Sequence, residues 1–213
     1  MRTTAEILDI LEEMFPNAQC ELVHRNVYEL IVSVILSAQT TDVSVNKVTP
    51  ALFKQYPDVT SLAKADIRDI ENCIKNIGLY HNKARMIKEM AQICADRFKG
   101  EIPSRRKDLQ LLPGVGRKTA NVVLSVWYKV PAIAVDTHVE RISKRLYLAK
   151  PDDSVIKVEE KLRRKIKRER WNRAHHLFIF FGRYYCKAKA PQCETCPFKN
   201  QCRYIKEKRV AQQ

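Results

Sequence analysis

Apolar residues along this chain recur at helical spacing, and no stretch alternates with the two-residue period of a strand. Thr3-x-x-Glu6 is a capping box that opens a first helix, with Ile7, Leu8, Leu11 and Met14 on one face and Pro16 beyond its end. Asn26 caps a second helix whose Val27, Leu30, Ile31, Val34 and Ile35 make it apolar nearly all round, which predicts a central place in the core. Asp42 is the expected cap of a third helix, with a kink or restart at Pro50. Short helices over 60–65 and 66–76 should end at Gly78 in a left-handed turn, and a longer one over 80–99 at Gly100. Ser104 is placed to cap a short helix, and further helices are expected over 117–128, 137–148, 154–167 and 171–185. The pattern predicts an all-α fold.

The stretch from Leu111 to His138 carries the densest chemistry. Leu111-Leu-Pro-Gly-Val-Gly-Arg-Lys-Thr-Ala-Asn121 places a tight turn between two helical segments. Gly114 and Gly116 permit positive φ and expose backbone N–H groups, and the following helix starts with its positive end at the same turn. This is a phosphate-grasping hairpin. Lys118 sits in the first turn beside Arg117, where dipole and neighbour both disfavour an ammonium. Such a lysine is a candidate amine nucleophile, or one more phosphate contact, and the stretch alone leaves both readings open. Thr137 and Glu140 form a second capping box, so Asp136 is expected to be spared from capping and available to orient the lysine or stabilise a cation. His138 could support the site from behind Asp136, but the preferred expectation is a helix-surface residue.

Charge narrows the partner. Of 213 residues, 39 are Lys or Arg and 24 Asp or Glu, for a formal charge of +15, which points to an anionic partner, most simply nucleic acid. Residues 161–173 hold eight basic side chains and one acid, predicting a helix with a solvated or DNA-facing basic side. The longest apolar run, Leu30 to Leu36, is too short to span a bilayer, and no export signal is visible at the N-terminus. A cytoplasmic protein with free thiols is expected, not a disulfide framework.

Four of the seven cysteines, Cys186, Cys193, Cys196 and Cys202, form C-x₆-C-x₂-C-x₅-C. Four thiolates can hold zinc or an iron–sulfur cluster, and the presence of only one short pair leans towards iron–sulfur. With all ligand positions filled by protein, such a centre would be structural. Cys20, Cys73 and Cys94 read as core or boundary thiols.

Taken together, the hairpin 112–120, Val135-Asp-Thr-His138, the cysteine tail, Leu36-Ser-Ala-Gln-Thr-Thr-Asp-Val-Ser-Val-Asn-Lys47 and Ile77-Gly-Leu-Tyr80 resemble the endonuclease III family. These are bacterial bifunctional DNA glycosylases of the helix–hairpin–helix superfamily. The resemblance covers nearly the whole chain. It implies a six-helix barrel over 21–130, with the helix–hairpin–helix at about 105–129, and a discontinuous cluster domain from 1–20 and 131–213. It implies that Lys118 and Asp136 are catalytic in excision of oxidised pyrimidines and in β-elimination at the abasic site. Gln39 would fill the hole left in the duplex and Leu79 would wedge into it, while Gly114, Val115 and Gly116, flanked by Arg117 and Thr119, hold a phosphate. Cys186, Cys193, Cys196 and Cys202 would carry a [4Fe–4S] cluster, with Lys187 and Lys189 in its basic loop. The partner implied is double-stranded DNA bearing damaged bases or abasic sites, with no membrane partner, bound by a monomer near the nucleoid. Pro50, and the neutral Ala190 and Gln192 in the cluster loop, depart from the family pattern.

Two other readings stand beside this one. A monofunctional glycosylase of the adenine-mismatch kind shares hairpin, Asp and cluster, but lacks a lysine at the position of Lys118 and usually carries an extra C-terminal domain. A DNA-binding module with a structural metal would need no nucleophile.

Overall fold

The computed structural model describes residues 1–210, and every regular element among them is helical. In chain order these are α1 (Thr4–Met14), α2 (Val27–Leu36), α3 (Asp42–Gln55), α4 (Val59–Lys64), α5 (Ile67–Ile74) and α6 (Tyr80–Arg97). They continue with α7 (Arg106–Leu109), α8 (Arg117–Val126), α9 (Thr137–Arg145), α10 (Val155–Lys165), α11 (Trp171–Phe180) and α12 (Arg203–Val210). The helices gather into two compact units, Met1–Gln19 with Pro131–Gln213, and Cys20–Val130.

The Cys20–Val130 unit is built on α2. Of its ten residues nine are buried, from Tyr28 to Leu36, because an all-round apolar helix can satisfy its surface only inside other helices. Glu29 is buried with them and is neutralised from outside the helix by Arg25, whose Nε and Nη2 donate to one carboxylate oxygen at 2.9 and 2.6 Å. Helices α3, α6 and α8 pack against α2, and α4 and α5 against α6.

The other unit closes α1 against α9, α10 and α11 over Ile7, Leu8, Leu11, Val139, Ile142, Leu162 and Phe178. The Thr3–Glu6 capping box forms as expected. After α11 the backbone widens into a π-helical turn, Phe181–Tyr185, which puts Gly182 where a Cβ would come within 2.9 Å of His138 Cβ. Phe181 stacks on Tyr185 and meets Phe198 edge-on, which seats the cysteine-bearing tail on the core.

Several boundaries differ from the sequence expectation. Thr41, not Asp42, caps α3, and the helix runs unbroken through Pro50. Burial of Val48, Leu52 and Phe53 on either side of the proline offsets a kink cost of about 3 kcal/mol. Asp58 caps α4 and Arg105 precedes α7, where Ser104 was expected. The left-handed residue before α6 is Leu79 and not Gly78. The basic run is no continuous helix: α10 ends at Ile166, which turns extended and buries its side chain, and a 3₁₀ turn over Arg168–Arg170 leads into α11. Indole Nε1 of Trp171 donates to the Ile166 carbonyl at 2.9 Å and holds that break. No helix among the described residues is long and apolar enough to cross a membrane.

Arg173 from the same run is structural. Its guanidinium donates to Glu12 Oε1 at 2.6 Å, to the Pro16 carbonyl at 2.7 Å, and to the carbonyls of Phe15 and Ala18. Arg173→Ala should strip those carbonyls of their donor and cost about 2 kcal/mol in a urea unfolding curve, whereas Arg168→Ala should leave the midpoint nearly unchanged.

Candidate functional site

Lys118, the hairpin, Gln39 and Leu79 belong to the Cys20–Val130 unit. Leu112 to Val115 forms a type II turn, with Pro113 supplying the fixed φ and Gly114 the left-handed one at 76°. The turn closes through the Val115 amide, which donates to the Leu112 carbonyl at 3.0 Å, and the Val115 side chain is buried. The expectation that Val115 offers its amide to a phosphate therefore does not hold in this conformation. Gly116, expected to share the positive φ, is extended at −80° and caps α8. Nothing lies within 4 Å of where its Cβ would be, so this backbone is open to a close approach. Among the described residues neither the Gly114 nor the Gly116 N–H makes a backbone hydrogen bond. Behind the turn, Arg106 Nε donates to the buried Asn121 Oδ1 at 3.0 Å and ties the two hairpin helices together.

Lys118 projects from the first turn of α8 with its side chain exposed, and no hydrogen bond or ion pair engages its amine among the described residues. Thr119 beside it is half-buried. Gln39 and Leu79 share an unusual trait: both are non-glycine residues in the left-handed region, at φ 54° and 60°, and both are exposed. For a bulky Leu this is a true outlier, and at 57% exposure no core contact accounts for it.

Asp136 and the four cysteines lie in the other unit. Asp136 is the N-cap of α9, which reverses the expectation that Thr137 takes that role. One carboxylate oxygen accepts from the amides of His138 and Val139 at 2.9 and 2.8 Å, and the other meets His138 Nδ1 at 3.0 Å. The side chain is only 17% exposed. Burial pulls its pKa upward, but the His138 ring, the Val139 amide and the nearby His175 outweigh it and hold the carboxyl at about 2. Asp136 is thus an ionised group at neutral pH. It cannot donate a proton there, but it can stabilise a cation or accept one.

The four tail thiols are all free. Burial pushes Cys196 up to about 11, and Cys186, Cys202 and Cys193 each add to that, so all three sit within electrostatic reach of Cys196. Among the described residues no three side chains of His, Cys, Asp or Glu converge as ligands of a single ion. Arg145 Nη1 donates to Cys186 Sγ at 3.1 Å and to the Lys187 carbonyl at 3.0 Å. The exposed side chains of Lys187 and Lys189 follow on the loop.

Comparison with known proteins places the chain. Residues 32–168 match the model of the HhH-GPD superfamily base excision DNA repair proteins. Endonuclease III of Bacillus subtilis (strain 168) is 52% identical over 92% of this chain and 90% of its own. The chain belongs to the endonuclease III family. Endonuclease III of Escherichia coli (strain K12) is 42% identical over 95% of each chain. A solved structure of a trapped endonuclease III–DNA covalent intermediate superposes with a TM-score of 0.93 at 51% identity, covering 98% of this chain and all of that one.

Within this member of the family, three features escaped the sequence reading. His138 is no mere surface residue but the ring that holds Asp136, a role signalled only by its i+2 spacing from a capping aspartate. Lys83 is buried, and Arg145 reaches a cysteine sulfur; both read as surface cations on amphipathic helices, and no local signal separates them.

Folding lowers the Asp136 pKa from an ordinary 3.8 to about 2. Its ionised form therefore stabilises the fold above about pH 4, and that contribution fades as the pH falls towards about 2. Asp136→Asn, which keeps a capping oxygen, should lose about 2 kcal/mol at neutral pH and show a flatter acid limb in urea melts across that window. An acid limb as steep as wild type would contradict the ionised-cap assignment.

Proposed function

We propose that this base excision repair enzyme removes oxidised, ring-saturated pyrimidines of the thymine glycol type from duplex DNA and nicks the resulting abasic site through a Schiff base on Lys118. The observation that carries the reading is an exposed, unengaged lysine amine at the positive end of α8, directly after a turn with two open glycine amides. The glycosylase and lyase activities are those of the endonuclease III family. The named roles of individual residues are this proposal's own.

In this mechanism Gly114 and Gly116 hold a backbone phosphate beside the target nucleotide through their amides. The target nucleotide must leave the stack before chemistry can begin. Leu79 supplies an apolar wedge, and Gln39 offers a donor and an acceptor to the orphaned base. Lys118 in its amine form attacks C1′; the C1′–N bond breaks and its electron pair leaves with the base. The Lys118 nitrogen then loses a proton as the sugar ring opens to the imine. Loss of a C2′ proton expels the 3′-phosphate by β-elimination, and water releases the lysine. Asp136, ionised in the resting protein, stabilises the positive charge that develops on the sugar and transiently accepts the proton shed by the nucleophile before passing it to water. Arg117, Thr119, Lys187 and Lys189 contribute phosphate contacts whose strength falls with salt.

The tail fits a [4Fe–4S] cluster held by Cys186, Cys193, Cys196 and Cys202. The donor set is four thiols in C-x₆-C-x₂-C-x₅-C, and its single short C-x₂-C pair suits a cluster better than a zinc ribbon, which uses two. The guanidiniums of Arg145 and Arg141 at Cys186 suit an anionic centre. Held there, a cluster would be structural: the four cysteines would use it to stiffen the loop that presents Lys187 and Lys189.

Borohydride reduction of protein mixed with a duplex bearing thymine glycol or an abasic site tests the nucleophile. Wild type should form a covalent adduct and Lys118→Gln none. Base release without trapping would return the monofunctional mechanism, and binding with neither would return the DNA-binding module. Separately, protein purified without oxygen should carry iron and acid-labile sulfide at about four each per chain. Cys193→Ser should lower both and weaken duplex binding, while one zinc per chain would refute the cluster.

A further inference from the structure

Lys83, in the first turn of α6, is only 3% exposed. An ammonium is costly to bury unless it is paired. Here its Nζ donates to Thr40 Oγ1 at 2.6 Å, and no carboxylate pairs with it among the described residues. Burial also pushes its pKa below the ordinary lysine value, so the surroundings do not favour the charge for its own sake. The group it reaches is distant in sequence and lies directly beside Gln39.

The backbone of the same residue points to the second feature. The Lys83 amide donates to the Leu79 carbonyl at 3.0 Å and closes the first turn of α6. Lys83 thus grips the Gln39 loop through its side chain and the Leu79 turn through its main chain. Gln39, the neighbour of Thr40, and Leu79 itself are both strained in the left-handed region, at φ 54° and 60°. Such backbone persists only where the surroundings over-determine it. Thr40 is itself held by its amide, which donates to the Ser37 carbonyl at 3.1 Å, so the strut ends on a braced loop.

We propose that Lys83 is a positioning residue that locks the Gln39 loop to the Leu79 turn, so that the two exposed side chains enter DNA as one preorganised unit. This rests on the reading above, in which Gln39 fills the opened stack and Leu79 wedges it. Lys83 is buried and touches neither DNA nor the reacting sugar. Its loss therefore impairs extrusion of the nucleotide and leaves the Schiff-base step itself intact.

The test compares borohydride trapping on two probes: a duplex with one abasic site, and the same strand alone, where no paired stack must open. Lys83→Met and Thr40→Val should each slow trapping on the duplex by about 10- to 100-fold while changing the single-strand rate by less than about twofold. The double variant should be no slower than either single one, because both remove the same contact. Thr40→Ser, which keeps the hydroxyl, should restore the duplex rate. If Lys83→Met does not fold, the Val and Ser substitutions at Thr40 decide the matter alone. Duplex-to-single-strand ratios equal to wild type in the variants, or additive losses in the double variant, overturn the strut while leaving the lyase reading in place. Wild-type protein that traps neither probe overturns the lyase reading and this inference with it.

Discussion

The backbone at Gly114 approaches its neighbours so closely that a side chain there would be crowded. A Cβ there would stand 3.0 Å from Ile35 Cγ2 and 3.3 Å from Met86 Sδ, in a conformation, φ 76°, that side chains disfavour. That approach seats the hairpin on α2 near its C-terminal end and on α6 two turns from its start. Gln39 follows the one helix and Leu79 precedes the other. The hairpin turn and the two strained, exposed side chains are therefore mounted on the same pair of helices, and Lys83 spans them from inside.

Electrostatics divides the work differently. The excess of cations is spread over the chain, and several members are spoken for: Arg25 neutralises Glu29, Arg173 clamps the segment after α1, and Arg145 faces a cysteine sulfur. A net charge of +15 thus overstates what is free to meet DNA. The one acid singled out for chemistry is held in the opposite sense. Two amides and an imidazole keep Asp136 ionised even though it is largely buried. A group so held serves as a fixed negative charge that needs no reorganisation when a cation develops.

Much of the chemistry was legible in the residues because it depends on local rules. The Pro-Gly pair at 113–114 calls for a tight turn, and a tight turn is present, closed by the Val115 amide that the sequence had offered to a phosphate. Thr3, Asn26 and Ser154 cap the helices that their spacing announces. At 136–137 the local rule failed because two adjacent residues could each cap, and Thr137-x-x-Glu140 looked the better box. In the structure Asp136 is the cap, and the His138 and Val139 amides with the His138 ring hold it in its charged form. Pro50 misled for a related reason: propensity argues for a break, and burial on both sides of it overrides propensity.

By itself the sequence determined the helical class, the tight turn at 113–114, the basic balance that calls for an anionic partner and the four thiols of the tail. Each follows from dihedral preference, period or side-chain chemistry read within a few residues. Only tertiary structure decided that Lys83 is buried, that Gln39 and Leu79 are held in left-handed backbone, and that His138 holds Asp136. Those properties arise where segments distant in sequence, or the two faces of one turn, compete for the same space and the same hydrogen bonds. A lysine on an amphipathic helix carries no mark of its partner until the fold brings position 40 against position 83.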